Sequence, residues 1–171
     1  VAAKTMASIL KKPIIEINHL EAHALTSRLV SEVNFPYLLL LLSGGHCQIL
    51  LARNIGKYDK IGETIDDALG ECFDKVAIML GLKYPGGPKI EKLALNGNEN
   101  KYIFPLPLIK TGNKYDFSFS GLKTAVRRRI ENITEEEYSY ITSPKKLSAE
   151  NINDICASFQ KTIANIIQNR V

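Results

Sequence analysis

The sequence predicts a mixed α/β fold built as α+β layers, and three observations predict it. Short β-branched and leucine-rich runs cluster in the first third of the chain. Long amphipathic stretches with helical periodicity fill the rest, and strand–helix–strand alternation does not repeat. Hydrophobic residues make up 45% of the 171 and charged residues 23%, the balance of a globular chain able to bury a core.

Taken in order, Ala2, Ala3, Met6, Ala7, Ile9 and Leu10 read as the tail of a helix, and Pro13–Ile17 as a short strand. Asn18 is placed to cap a helix running through His19, Ala22, His23, Leu25 and Leu29. Phe35-Pro36 breaks the chain. Tyr37–Leu42 is apolar at every position, as a strand buried on both faces would be. Ser43-Gly44-Gly45-His46 then turns tightly into a second strand from Cys47 to Arg53, making a hairpin. Tyr58–Ile61 adds a third strand. Ile65, Ala68, Leu69, Cys72, Phe73, Val76, Ala77 and Leu80 form a continuous stripe at helical spacing. Thr64 is its expected cap, Glu63, Asp66 and Asp67 suit the dipole at its start, and Gly81 its end. Tyr84–Pro88 reads as a rigid loop before a short helix from Lys89 to Asn96. An irregular Pro-containing segment follows through Phe104–Pro107. Phe117–Ser120 leads into a basic helix from Leu122 to Ile130. Glu135–Glu137 and Ser143-Pro144 mark a polar linker, and the last helix carries Ile152, Ile155, Phe159, Ile163 and Ile166 on one face.

Charge and cysteine usage narrow the function classes. A net charge of +4 permits an acidic partner without demanding one. The longest apolar run is far short of the ~20 residues a membrane span needs, and no secretory leader pattern opens the chain. Cys47, Cys72 and Cys156 form no CxxC and read as buried thiols of a reducing compartment. The chain opens at Val1 mid-helix and closes with helical periodicity still running, so it is expected to be an internal fragment.

Five constellations could carry chemistry. His19 and His23, four apart on a helix, can face one ion, or are simply two surface or core histidines. Glu21 does not follow the first histidine directly, so this is not the HExxH peptidase pattern. Ser43–His46 can offer main-chain N–H groups to an anion, or is only a glycine-rich hairpin turn. Asp67, Glu71 and Asp74, at i, i+4 and i+7, can hold ribose hydroxyls or a hydrated metal, or form the solvated face opposite the apolar stripe. The Tyr84–Pro88 loop brings main chain close to a ligand, or merely joins two helices. Lys123, Arg127 and Arg128, with Arg129, form a patch able to meet tRNA phosphates, or a solvated surface.

The order and wording of these segments are more specific than any one of them. His19-Leu20-Glu21-Ala22-His23, Leu41-Leu42-Ser43-Gly44-Gly45-His46, Gly62–Ala68, Glu71–Lys75, Tyr84–Pro88 and Asp116–Thr124 together resemble the TsaD family, the catalytic subunit of tRNA N6-adenosine threonylcarbamoyltransferase. The resemblance runs from about the first residue to the last helix. It implies an actin-like, Hsp70-like (RNase H-type) fold, with residues 1–35 ending the N-terminal half and residues 36–171 starting the second half. It implies that His19 and His23 hold one divalent metal, iron or alternatively zinc. It also implies that Leu41, Leu42, Ser43, Gly44, Gly45, Asp74 and Gly87 bind threonylcarbamoyl-adenylate. The family's third metal ligand, an aspartate, and an adenylate-contacting asparagine lie in a region outside this chain, so the chain alone is expected to be inactive.

The implied activity transfers threonylcarbamoyl to N6 of the adenosine beside the anticodon in tRNAs reading ANN codons. The implied partners are tRNA, an actin-like paralogous (TsaB-like) subunit and an ATPase (TsaE-like) subunit. No membrane is implied, and the compartment is a bacterial cytoplasm, or alternatively a mitochondrial matrix. Three readings compete: a metallopeptidase of glycoproteins, a non-catalytic actin-like scaffold subunit, and an actin-like kinase or chaperone ATPase. The peptidase needs a base beside the histidines, the scaffold class lacks the paired histidines, and the ATPase would use acidic metal ligands instead.

Overall fold

β1 (Tyr37–Leu42), β2 (Cys47–Asn54) and β3 (Lys57–Glu63) form an antiparallel sheet in the order β1-β2-β3. The computed structural model describes residues 1–107, 113–138 and 147–171; the expected linker at Ser143-Pro144 lies outside them. Leu42 pairs with Cys47 across the hairpin turn, and Gln48 with Glu63 on the other side. Along β2 the buried positions switch phase, with Cys47 and Ile49 followed by Leu50 and Ala52. β2 pairs with β1 without interruption here, so Ile49 and Leu50 point to opposite faces and the buried side changes along the strand. The register shift beside them places the extra residue, Ile61, in β3. β3 is polar at the edge, with Lys57, Asp59 and Lys60 exposed, a pattern that discourages further strand pairing.

Six helices complete the described chain: α1 (Ala2–Ile9), α2 (His19–Val30), α3 (Leu69–Met79), α4 (Gly86–Ala94), α5 (Ser120–Thr134) and α6 (Ala149–Arg170). α3, α5 and α6 bury Cys72, Val76, Leu122, Val126, Ile155 and Ile163 in one core with β2, α4 and the Phe117–Phe119 segment. Phe73 meets Phe159 edge to face at 5.0 Å, a favourable aromatic geometry. Asn18 caps α2 as expected, its Oδ1 accepting from the Leu20 and Glu21 N–H groups, and Ser148 caps α6 in the same way. The three cysteines are buried and free, and burial pushes each thiol up to about 12.

Four expectations are corrected. Pro13–Ile17 is not a strand: it has no neighbouring strand, and Ile14, Ile15 and Ile17 are exposed, so β propensity without a pairing partner leaves it extended coil. β1 is not buried on both faces, since Leu38 and Leu42 are exposed at the sheet's edge.

The third correction concerns α3, which starts at Leu69, a turn later than its apolar stripe predicts, with Ile65 exposed. Residues 64–67 are drawn into tertiary bonds instead. Thr64 pairs in parallel with Phe117, its hydroxyl donates to Asp67 O at 2.6 Å, and Asp66 reaches across to Ser118–Ser120. The fourth is α4, which begins at Gly86, inside the supposed loop. Asp74 Oδ1 accepts the Gly86 N–H at 2.7 Å, satisfying one of the donors a helix start leaves unpaired. The Phe35-Pro36 and Tyr84-Pro85 bonds are cis.

Candidate functional site

A cleft of about 460 Å³ opens where the β1–β2 turn, the first turns of α3 and α4, and α6 converge, lined among others by Leu42, Ser43, Gly70, Asp74, Gly87 and Gln160. Two close approaches build it. A Cβ added to Gly70 would stand 2.7 Å from Gly44 Cα, so the turn rests directly on the start of α3. The Gly70 N–H donates to Ser43 O at 3.3 Å. A Cβ on Gly86 would stand 2.6 Å from Ala77 Cβ, so α4 begins against the flank of α3. The turn is closed by Ser43 N–H donating to His46 O at 2.8 Å and His46 N–H donating to Ser43 Oγ at 3.0 Å.

The electrostatics of this cleft follow from its backbone. Leu69 and Gly70 open α3, and Gly87 and Pro88 lie in the first turn of α4. Both helix N-termini therefore border one space, and their partial positive charge favours an anion there. Asp74 and Glu91 add carboxylates on the α3 and α4 sides. An anionic group beside N–H donors, with carboxylates nearby as acceptors for hydroxyls, is the chemistry of a nucleotide.

Four of the seven residues expected to bind an adenylate, Leu42, Ser43, Asp74 and Gly87, line the cleft. Leu41 is buried in β1 behind them. Gly44 packs on α3, and Gly45 has open space where a side chain would be. The expected acidic face is redistributed. Asp67 lies outside α3 and accepts from Lys75 Nζ at 2.7 Å and Lys123 Nζ at 2.8 Å, Glu71 pairs with Lys75, and Asp74 alone enters the cleft. Sequence reasoning missed Gly70, Glu91 and Gln160. A glycine within a helical stripe signals close packing, and Glu91 stands four residues after Gly87 on the same face. Gln160, on α6, has no local signal.

His19 and His23 are exposed neighbours on α2, their rings edge to face with centroids 4.6 Å apart. Two imidazoles one turn apart fit two positions of a nitrogen-favouring metal. Among the described residues no third histidine, cysteine or carboxylate completes the set, so further donors must come from elsewhere. Glu21 accepts from the Gly56 N–H at 2.7 Å and from the Tyr58 hydroxyl at 3.3 Å. It anchors α2 to the β2–β3 turn, a task at odds with the water-activating base a peptidase would need.

The basic helix is divided. Lys123 is bound to Asp67, and Arg127 Nε lies 3.7 Å from Glu131 Oε1, whereas Arg128 is exposed. Lys123 is thus withdrawn from the cationic face, and Arg127 is offset only by a neighbour one turn along the same helix. Burial opposes ionisation of Asp67, but Lys123 and Lys75 outweigh it and hold its carboxyl below the ordinary range. Hydrogen bonds to Asp67 and Glu71 raise Lys75 in turn. Asp66 is likewise held low: burial opposes its charge, and the Ser118 hydroxyl, Phe119 N–H and Ser120 hydroxyl prevail.

Among the described residues no helix is long and apolar enough to cross a membrane. The family model described as TsaD, tRNA N6-adenosine threonylcarbamoyltransferase, matches residues 1–171. The protein of that name from Wolbachia pipientis wMel is 52% identical over 169 residues, covering 99% of this chain and 47% of the relative. Those of Rickettsia massiliae and Rickettsia prowazekii are each 54% identical over 169 residues, covering 99% of this chain and 46% and 41% of the relatives. The chain spans about half the length of the curated relatives it matches.

Proposed function

Since this chain belongs to the TsaD family, we propose that the full-length protein transfers the threonylcarbamoyl group of threonylcarbamoyl-adenylate to N6 of the adenosine beside the anticodon, in tRNAs reading ANN codons. The observation that carries this reading is the convergence of Leu42, Ser43, Asp74 and Gly87 on one cleft bordered by two helix N-termini. The adenylate phosphate lies against the Gly87 N–H at the start of α4 and the positive end of the α3 dipole, and the ribose hydroxyls donate to Asp74. The attacking N6 forms a bond to the carbamoyl carbon as the bond to the phosphate oxygen breaks. AMP leaves, and N6 gives up a proton. Donors that favour the phosphate in the ground state favour it more as charge gathers on the leaving group.

His19 and His23 would hold two positions of one divalent metal, iron or zinc, which would supply Lewis-acid polarisation of the reacting group. Arg128 contacts tRNA phosphate. Lys123 ties α5 to the segment before α3 through Asp67, and Arg127 pairs with Glu131 one turn on along α5. The protein works in a bacterial cytoplasm with a TsaB-like paralogue and a TsaE-like ATPase. In the actin-like architecture, residues 1–35 end one half and residues 36–171 begin the other.

Asp74→Asn tests the site. Asparagine keeps an oxygen for the Gly86 N–H and removes the charge that a ribose hydroxyl would meet. Calorimetric titration of the full-length protein with threonylcarbamoyl-adenylate is expected to show a loss of about tenfold or more in affinity, the scale of a hydrogen bond to a charged group. Unchanged binding would move the adenylate out of this cleft.

A further inference from the structure

A second pocket, remote in chemistry from the adenylate cleft, lies between the Ile103–Pro105 segment and α5. Its volume is about 240 Å³, and its lining includes Ile103, Phe104, Pro105, Gly121, Ala125 and Arg128. Arg129 and Asn132 complete its rim. Its floor is apolar and one wall is made of small residues: Gly121 would place a Cβ in open space, and the Thr124 hydroxyl is engaged by Ser120 O at 3.1 Å. Arg129 is steadied over the Tyr102 ring at 5.2 Å. No carboxylate is among the described lining residues, in contrast to the cleft with Asp74 and Glu91.

We propose that this pocket takes one unstacked base of single-stranded RNA, with Arg128 and Arg129 on the flanking phosphates. Ile103 is 89% exposed and Phe104 7%, so an aliphatic side chain stands in solvent beside a buried aromatic. A base has two apolar faces that an aliphatic side chain can cover, and RNA recognition commonly splays single bases out of the stack. The pocket is smaller than the ~300 Å³ at which sites for whole drug-sized ligands begin, which suits a base with its sugar and phosphate left outside. Asn132 can meet a base edge, its amide carrying both donor and acceptor. The two guanidiniums meet phosphates bidentately. The inference rests on the reading that the protein acts on tRNA and adds where an unpaired nucleotide of that tRNA is held.

The test uses the full-length protein and a fluorescently labelled oligoadenosine, alongside an abasic strand of the same length. Binding is read by anisotropy over a series of salt concentrations. The unmodified protein should favour the base-bearing strand by about fivefold or more, the scale of one stacked base. Gly121→Leu, which fills the pocket from a position with room for a side chain, should abolish that preference and leave the salt slope unchanged. Arg128→Gln should lower the slope of log affinity against log salt by about 0.7, the value for one phosphate contact on a single strand. Thermal melting followed by circular dichroism checks that both variants fold. Equal binding of the two strands by the unmodified protein, or a base preference that survives Gly121→Leu, would overturn the proposal. Since the readout needs no transfer reaction, base-dependent binding without threonylcarbamoyl transfer would overturn the functional reading and leave the pocket standing.

Discussion

Residues 1–35 and the body from residue 36 onward obey different physics. In the first region Ala24 is the one buried residue among those described, while Met6, Ile9, Leu10, Ile15, Leu29 and Val30 stand in solvent. α2 is tied to the sheet by the Tyr37 hydroxyl donating to Ala24 O at 2.7 Å and by Glu21 at the β2–β3 turn. In the body, α3, α5 and α6 enclose a continuous core, and the cleft is cut into its surface. The candidate metal ligands thus sit on a helix held by a few tertiary hydrogen bonds, and the candidate adenylate residues on elements held by burial. A site on buried elements keeps its geometry through packing, whereas one on a lightly anchored helix needs further contacts to be fixed.

The largest expected effect comes from removing a core aromatic. Phe159→Ala, at a fully buried position against Phe73, should cost about 3–5 kcal/mol in urea unfolding. Leu29→Ala, at a residue 85% exposed on α2, should stay within about 0.5 kcal/mol. Similar losses from the two would erase the distinction between the regions.

Asp67→Asn comes next, at about 1–2 kcal/mol, because it leaves Lys75 and Lys123 without their shared carboxylate. The sign with pH follows from its lowered pKa, shared by Asp66. A depressed carboxyl contributes stability above its unfolded value of ~3.9, and that contribution is lost as pH falls through the folded value. The body should therefore lose stability from about pH 4 downward, less steeply in Asp67→Asn. A pH series of denaturant midpoints checks it, and equal slopes would deny the triad its role.

The most local effect is expected from Asn18→Ala. Removing the cap that accepts from Leu20 and Glu21 should weaken α2 by about 0.5–2 kcal/mol. Hydrogen exchange should quicken at the amides of His19–Val30 while the α6 amides keep their protection. Faster exchange throughout the chain would mean that α2 and the body unfold together.

What the sequence by itself determined is local in origin. The Asn18 cap, the hairpin around Ser43–His46, the Gly81 stop with φ +73° and the apolar stripes of α3 and α6 follow from side chains within a few residues of one another. The family membership was legible too, in the order of short motifs. Tertiary structure alone decided the rest. Pro13–Ile17 has strand-forming residues but no strand beside it. Thr64–Asp67 continue a helical pattern, yet bonds to a segment some fifty residues away pull them out of the helix. Gln160 reaches the cleft because α6 packs across α3 and α4. Lys123 looks like part of a cationic surface until Asp67, far off in sequence, claims it. Local periodicity specifies which face of an element is apolar; only the packed chain specifies which distant donor or acceptor meets its polar groups.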